Sequence, residues 1–148
     1  MSEDQFKSAL HVAFLFLRND FGFIVIQERY GEGMGNGFAT FAKNSARIQI
    51  AKDRGQVLIL LGDECLSTRE WVEFAQAVKY FSKSTDLVYV FPSDHNPVSD
   101  SSQLQHLAQV MLSHCNPILS GTMSVIQLQE AIVAERRAET RRFLNAAE

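Results

Sequence analysis

The sequence has few of the residues that mark specialised classes of protein. Its 148 residues include two cysteines, three prolines and one tryptophan, and no apolar run approaches the roughly 20 residues that span a bilayer. Two cysteines exclude a disulfide scaffold. The acidic first residues are unlike the positively charged start of a signal peptide. We therefore expect a cytoplasmic protein without a membrane segment, in which Cys65 and Cys115 are reduced and buried.

Basic charge is also scarce. Lysine and arginine total 14 against 17 aspartates and glutamates, which gives a net charge of −3. Proteins that bind nucleic acid are usually basic, because phosphate contacts dominate their affinity. We therefore expect no nucleic-acid partner.

The motifs of metal and nucleophile chemistry are missing from the sequence. The four histidines include one close pair with a cysteine, His114 and Cys115, and adjacent helical residues point in different directions. No Gly-x-Ser-x-Gly elbow and no Gly-Lys-Ser/Thr phosphate loop occurs. The sequence accordingly predicts no catalytic residues, no metal site and no cofactor.

The composition that remains is that of an ordinary globular protein. Hydrophobic residues make up 46% of the chain and charged residues 21%, and 148 residues suit one domain. Residues 1–91 carry a predicted helix, a sheet and a second helix, and residues 103–148 are predicted to be helical. A polar stretch with two prolines, residues 92–102, divides these parts. We expect a single α+β domain over residues 1–148.

The first half of the chain predicts a helix followed by a meander. Phe6, Leu10, Phe14 and Leu17 follow helical spacing, and the helix is expected to end near Asn19. Four strand-like segments follow, at residues 23–30, 37–43, 46–52 and 56–61. Their short connections predict an antiparallel sheet of about four strands. The last segment is continuously apolar, which predicts that both of its faces are covered.

The second half predicts helices packed on that sheet. Ser67 and Glu70 have the spacing of a capping box, which would open a helix that carries Trp71 as a core anchor. Further helices are predicted for residues 103–115 and from about Thr122 onward. Residues 86–91 suit either a fifth strand or a helical turn.

Two polar segments are candidates for partner binding. In the turn Asp53-Arg54-Gly55-Gln56, a type I turn with Gly55 in a G1 bulge leaves Arg54 and Gln56 without a structural task. A turn arginine is usually just solvated, whereas the functional alternative uses its planar donors on a carboxylate or phosphate.

The second segment is the acidic pair Asp63 and Glu64 at the end of the fourth strand, which we expect to face solvent. Cys65 follows directly. If it lies near the start of the next helix, its pKa would be lowered.

The glycine-rich loop of residues 31–37 supports an alternative function. It begins at Gly31 and ends at Gly37, with glycine at every second residue, and a strand rather than a helix follows it. A flexible hairpin is therefore favoured over a phosphate site. The alternative is a small-ligand-binding or enzymatic domain that uses this loop as a lid.

The run from Arg47 to Val57, with its Asp-Arg-Gly-Gln turn between two apolar strands, resembles a group of small bacterial proteins. The likeness extends from Phe6 to Val78 and includes the order helix, strand, glycine turn, strand. Some members of that group are regarded as immunity proteins that neutralise a toxin. The resemblance implies a non-enzymatic protein-binding module with a protein partner, possibly a toxin. If so, we expect the two polar segments to contact that partner through Arg54, Gln56, Asp63 and Glu64.

The end of the chain suggests a second mode of association. Arg136, Arg137, Arg141 and Arg142 alternate with Glu135 and Glu139 in a stretch that is polar on every helical face. Pairs three residues apart support an exposed helix. Such a helix either projects into solvent or is a docking surface, for an acidic partner or for self-association with a second subunit.

Overall fold

The fold is α+β, as predicted, with helices packed on an antiparallel meander. The computed structural model describes residues 3–31, 36–83, 88 and 99–147. Its helices are α1 (Glu3–Ala13), α2 (Leu15–Asn19), α3 (Phe74–Ser82), α4 (Asp100–His114), α5 (Asn116–Leu119) and α6 (Val125–Ala147), with a short 3-10 helix at Thr68–Glu70. Its strands are β1 (Ile24–Tyr30), β2 (Gly37–Lys43), β3 (Ala46–Asp53), β4 (Gln56–Asp63) and β5 (Val72–Glu73).

The sheet has the strand order β1-β2-β3-β4-β5, with every neighbouring pair antiparallel. The four predicted strands are confirmed to within two residues at each end. The fifth is a two-residue strand, in which Val72 and Glu73 pair with Leu61 and Leu60. This strand exists through its tertiary pairing, since two residues carry no periodicity of their own.

The N-terminal helix ends at Asn19 as predicted, but it is divided at Phe14 into α1 and α2. Its apolar stripe of Phe6, Leu10, Phe14 and Leu17 is fully buried. Gly22 lies in the left-handed region at φ 80° and turns the chain into β1.

The prediction that a capping box at Ser67 opens the next helix was wrong. Residues 68–70 form a single 3-10 turn, and α3 begins only at Phe74. The Ser67 side chain caps no backbone N–H, and its hydroxyl instead donates to the Glu70 carboxylate at 3.3 Å. Trp71 therefore lies on a connection rather than on a helix.

Two of the C-terminal helices, α4 and α6, begin at residues whose side chains cap them. Ser99 accepts the backbone N–H of Ser102 at 3.1 Å, so α4 starts three residues before the predicted position. Ser124 and Gln127 cap α6 reciprocally, each side chain accepting the other's backbone N–H, at 3.0 and 2.9 Å. Of residues 86–91, whose class was left open, the structure describes only Val88, which is buried.

The core lies on one face of the sheet, the inner face. Alternate residues of β3 and β4 are buried there, together with residues of α1, α3, α4 and α6. The buried strand residues include Ile48, Ile50, Val57, Ile59 and Leu61. The opposite, outer face carries Leu58, which is 40% exposed. The prediction that β4 is covered on both faces was therefore wrong at Leu58, although Leu60 is half-buried and Gly62 is buried on the same face.

Candidate functional site

The outer face of the sheet is built of three rows that run across the strands. Their register gives Ile24, Ala42, Arg47 and Gly62 in the first row, and Gln27, Thr40, Gln49, Leu60 and Glu73 in the second. The third row is Arg29, Phe38, Ala51 and Leu58. The middle row is polar and tied together, since the Gln49 amide donates to the Thr40 hydroxyl at 3.3 Å. Each flanking row combines apolar side chains with one arginine, and the middle row is polar except for Leu60.

Large apolar side chains on this surface are accessible. Ile24 is 62% exposed and Leu58 40%, and Ile26, at a β-bulge in β1, is 50% exposed. Phe38 and Leu60 are half-buried. Full burial of an exposed side chain of this size is worth about 1.5–3 kcal/mol, and roughly half of that remains available to an association at each of these positions.

Trp71 covers one end of the outer face. A Cβ placed on Gly62 would lie 2.1 Å from the indole ring, so the ring rests directly on the glycine backbone. The indole N–H donates to the Leu66 carbonyl at 3.3 Å. Trp71 is half-buried and belongs to the rim of this face.

The β3–β4 turn presents Arg54 in an unusual backbone conformation. Asp53 pairs with Gln56, and both central residues have positive φ, 53° at Arg54 and 80° at Gly55. This is the two-residue type I′ geometry rather than the predicted type I turn with a G1 bulge. Asparagine and glycine are preferred here, so an arginine costs some stability. The Asn36 side chain accepts the Arg54 backbone N–H at 3.2 Å and leaves the exposed guanidinium outside the turn.

The four predicted partner-binding residues do not converge. Arg54 and Gln56 lie at one end of β4 and the acidic pair at the other, about 23 Å away at 3.3 Å per residue. Gln56 is half-buried, and its amide donates to the Val57 carbonyl at 3.3 Å.

The acidic pair is divided between core and surface. Asp63 is only 2% exposed and accepts the Cys65 backbone N–H, so the expectation that both acids face solvent was wrong for this residue. Glu64 is exposed and forms an ion pair with Arg47 at 3.2 Å. Glu64 and Arg54 thus remain accessible, whereas Asp63 holds the chain reversal that follows β4.

Both cysteines are free, as predicted, but Cys65 is exposed rather than buried. The negative charge of Asp63 raises the pKa of Cys65, with smaller contributions from desolvation and from Glu64. The expectation of a lowered pKa was therefore wrong. Cys115 is buried, and desolvation raises its pKa to about 12.

A titratable cluster that the sequence did not reveal joins α1 to β1. His11 and Tyr30 both bond to the same carboxylate oxygen of Glu28, the Tyr30 hydroxyl donating at 3.0 Å. The Lys7 ammonium lies 5.7 Å from the Tyr30 ring centre. These residues come from segments 17 or more positions apart, and no local pattern connects them.

Two buried polar contacts attach α4 to the sheet. Lys52 and Asp100 form an ion pair at 2.7 Å in which both side chains are 8% exposed. The Gln103 amide accepts the Val57 N–H at 3.1 Å and donates to the Gly55 carbonyl at 3.1 Å. Gln103 therefore bonds to the edge of β4 much as a neighbouring strand would.

The glycine-rich loop connects the two strands of the β1–β2 hairpin, in agreement with the prediction that a hairpin is formed here. The Gly31 N–H donates to the Asn36 carbonyl at 3.2 Å, and the Tyr30 ring packs on Gly37. Residues 32–35 lie outside the described part of the chain. Within that part, no three histidine, cysteine or acidic side chains are grouped to hold a metal ion. Nor does any described helix combine the length and apolar character that would cross a membrane.

Comparison of the chain with protein-family models, with curated protein sequences and with solved structures finds no match.

Proposed function

We propose that the protein is a non-enzymatic binding module that docks a protein partner on the outer face of its sheet. The observation that carries this proposal is the exposure of Ile24, Ile26 and Leu58 on or beside one face of the sheet. Ile24 lies on β1 and Leu58 on β4, so these side chains are spread across the width of the face. An association that covered the whole face would bury all three. Near the centre of the face, the half-buried Gln49 amide is held in place by its bond to the buried Thr40 hydroxyl.

The Arg54 turn extends this surface at the end nearest Leu58. Its guanidinium is exposed, and the arginine occupies a position where asparagine would suit the backbone better. A binding role for Arg54 would account for an arginine at this position. Arginine is also enriched at protein interfaces.

The resemblance of the Arg47–Val57 hairpin to immunity proteins suggests the kind of partner. On this proposal the chain neutralises a toxin by covering it. A flat sheet face with a central polar row suits the inhibition of another folded protein better than the enclosure of a small ligand.

The test compares two leucines of nearly equal exposure. Leu58 on the outer face is 40% exposed and Leu112 on α4 is 41% exposed. Leu58→Lys and Leu112→Lys therefore carry matched chemistry at different surfaces. The full chain and both variants are used as bait in lysate from the source cells, and retained proteins are quantified by mass spectrometry.

We expect a partner that is retained by the wild type and by Leu112→Lys but is at least tenfold depleted on Leu58→Lys, as for a central interface residue. Equal retention on all three baits would contradict docking on this face. The identified partner is then expressed in cells with and without the chain. Growth that depends on the chain supports neutralisation of a toxin, whereas equal growth contradicts it.

A further inference from the structure

The C-terminal half of α6 extends away from the body of the protein. Val125 and Leu128 pack in the core and Ile132 packs against it, but residues 136–146 are all exposed. Phe143 is 75% and Leu144 58% exposed. Helical segments this short are marginal in water on their own, so contacts are expected to support this one.

One side of α6 carries its own pattern. Residues at spacings of three and four positions share a helix face, and those turned from the core are Ile126, Glu130, Val133, Arg137, Thr140, Arg141 and Leu144. All except Ile126, which is half-buried, are exposed. We name this set the solvent stripe.

The charges of the solvent stripe are segregated along the helix. Its acidic residue, Glu130, lies in the N-terminal half, and its basic residues, Arg137 and Arg141, lie in the C-terminal half. A parallel pairing of two such helices would oppose like charges. An antiparallel pairing brings Glu130 of each copy to Arg141 of the other.

The apolar residues fit the same antiparallel alignment. With the two-fold axis between residues 135 and 136, Leu144 of one copy falls between Ile126 and Glu130 of the other. Val133 falls between Arg137 and Thr140. Both contacts are of the knobs-into-holes kind that antiparallel helices use. Because the core-packed residues of α6 lie on another side of the helix, the two bodies stay apart.

From this self-complementarity we infer that two copies of the chain associate through an antiparallel pairing of their α6 helices along the solvent stripe. The interface is the helix pair alone, which is small for a stable dimer, so a dissociation constant of about micromolar order is expected. It does not involve the outer face of the sheet, so this inference and the proposed function succeed or fail separately.

The test is the molar mass of the full chain by analytical ultracentrifugation across a concentration series. We expect a monomer–dimer equilibrium that Arg137→Glu/Arg141→Glu weakens at least tenfold, because attraction becomes repulsion. The matched control, Arg136→Glu/Arg142→Glu, has the same change of net charge outside the stripe. It is expected to leave the equilibrium within about twofold of the wild type.

A mixing experiment tests the antiparallel direction. Glu130→Arg and Arg141→Glu should each be monomeric alone, because each places like charges together. Mixed in equal amounts they should form a heterodimer, since each new charge meets its opposite in the other chain. A monomeric wild type at all concentrations, equal loss of dimer in the control, or no association on mixing would overturn the inference.

Discussion

At the scale of single residues, the contact between Trp71 and Gly62 fixes one end of the outer face. The indole ring occupies the volume that any side chain at position 62 would fill. Gly62 is therefore required by close approach, since its backbone has no positive φ. A sequence pattern reveals neither partner, because nothing local relates positions 62 and 71.

Gly62→Ala should displace the ring and destabilise the fold by about 1–3 kcal/mol, the usual cost of overpacking. Chemical denaturation gives the free energy of unfolding, and the fluorescence of the single tryptophan reports the displacement. In a Trp71→Ala background the same glycine substitution should cost far less. Equal costs in both backgrounds would show that ring and glycine are not coupled.

The conformation of a single residue, Arg54, also explains why the type of the β3–β4 turn was wrongly predicted. Asp53 and Gly55 are compatible with two hairpin geometries, and the choice depends on whether Arg54 accepts a positive φ. The bond from the Arg54 N–H to the Asn36 side chain, 18 residues away, supports the type I′ form. The turn type was therefore decided by a contact that its own four residues do not contain.

At the scale of elements, the bonds of Glu28 to His11 and Tyr30 tie α1 to β1 and make that junction sensitive to pH. Although partial burial opposes ionisation, the hydrogen bonds from His11 and Tyr30 lower the pKa of Glu28. Because the pKa of Glu28 is lower in the folded chain than in the unfolded chain, Glu28 stabilises the fold at pH values above its unfolded pKa of about 4.5. That stabilisation is lost as the pH falls through the pKa of the folded state. The pKa of Tyr30 is raised, first by desolvation and then by its hydrogen bond to Glu28. The stability that this raised pKa contributes is complete below the unfolded value of about 10 and is lost as the pH rises above it.

Two substitutions separate these effects. Glu28→Gln should flatten the fall of stability at acid pH. It should also weaken the fall at alkaline pH, because the acceptor of the Tyr30 hydroxyl loses its negative charge. Tyr30→Phe should act chiefly on the fall at alkaline pH. Urea midpoints measured across the range provide the comparison, and an unchanged pH dependence in both variants would contradict the assignment.

The Lys52–Asp100 ion pair connects β3 to α4 in a buried environment. Asp100→Leu or Lys52→Met alone should destabilise the fold by about 3–5 kcal/mol, because each leaves one buried charge unpaired. The double variant should be more stable than either single one. Glu135→Gln, which breaks the more exposed Lys83–Glu135 pair, is the control and should cost under about 1 kcal/mol. Additive costs in the double variant would exclude a coupled pair.

The elements that the sequence predicted well are those in which apolar residues recur at a regular spacing. Alternation along β3 and helical spacing along α1 extend over enough residues to determine strand, helix and buried face. The start of α3 was missed because Ser67 and Glu70 have cap spacing but support only a 3-10 turn. Contacts of Asp100 and Gln103 with the sheet span 46 to 48 residues, so they depend on the complete fold.

At the scale of the whole molecule, the core and the end of α6 contribute unequally to stability. Because residues 136–146 are exposed, deleting the chain after Glu135 should change the free energy of unfolding by less than about 0.5 kcal/mol. Thermal and urea unfolding of the shortened and full chains measure this at a concentration where both are monomeric. A large loss of stability would mean that this helix supports the fold directly.

The position of Gln103 bears on how the sheet behaves towards other chains. A sheet can add strands at either edge, and fibril growth begins from such edges. At one edge, β5 pairs with the C-terminal half of β4, and the Gln103 amide occupies backbone groups at Gly55 and Val57. Strand addition is thereby directed to β1, whose bulge and charged side chains disfavour it. Because the Gln103 side chain is buried beneath α4, removing its amide would leave the Val57 N–H and the Gly55 carbonyl unpaired, and this edge of the sheet would become its weak point.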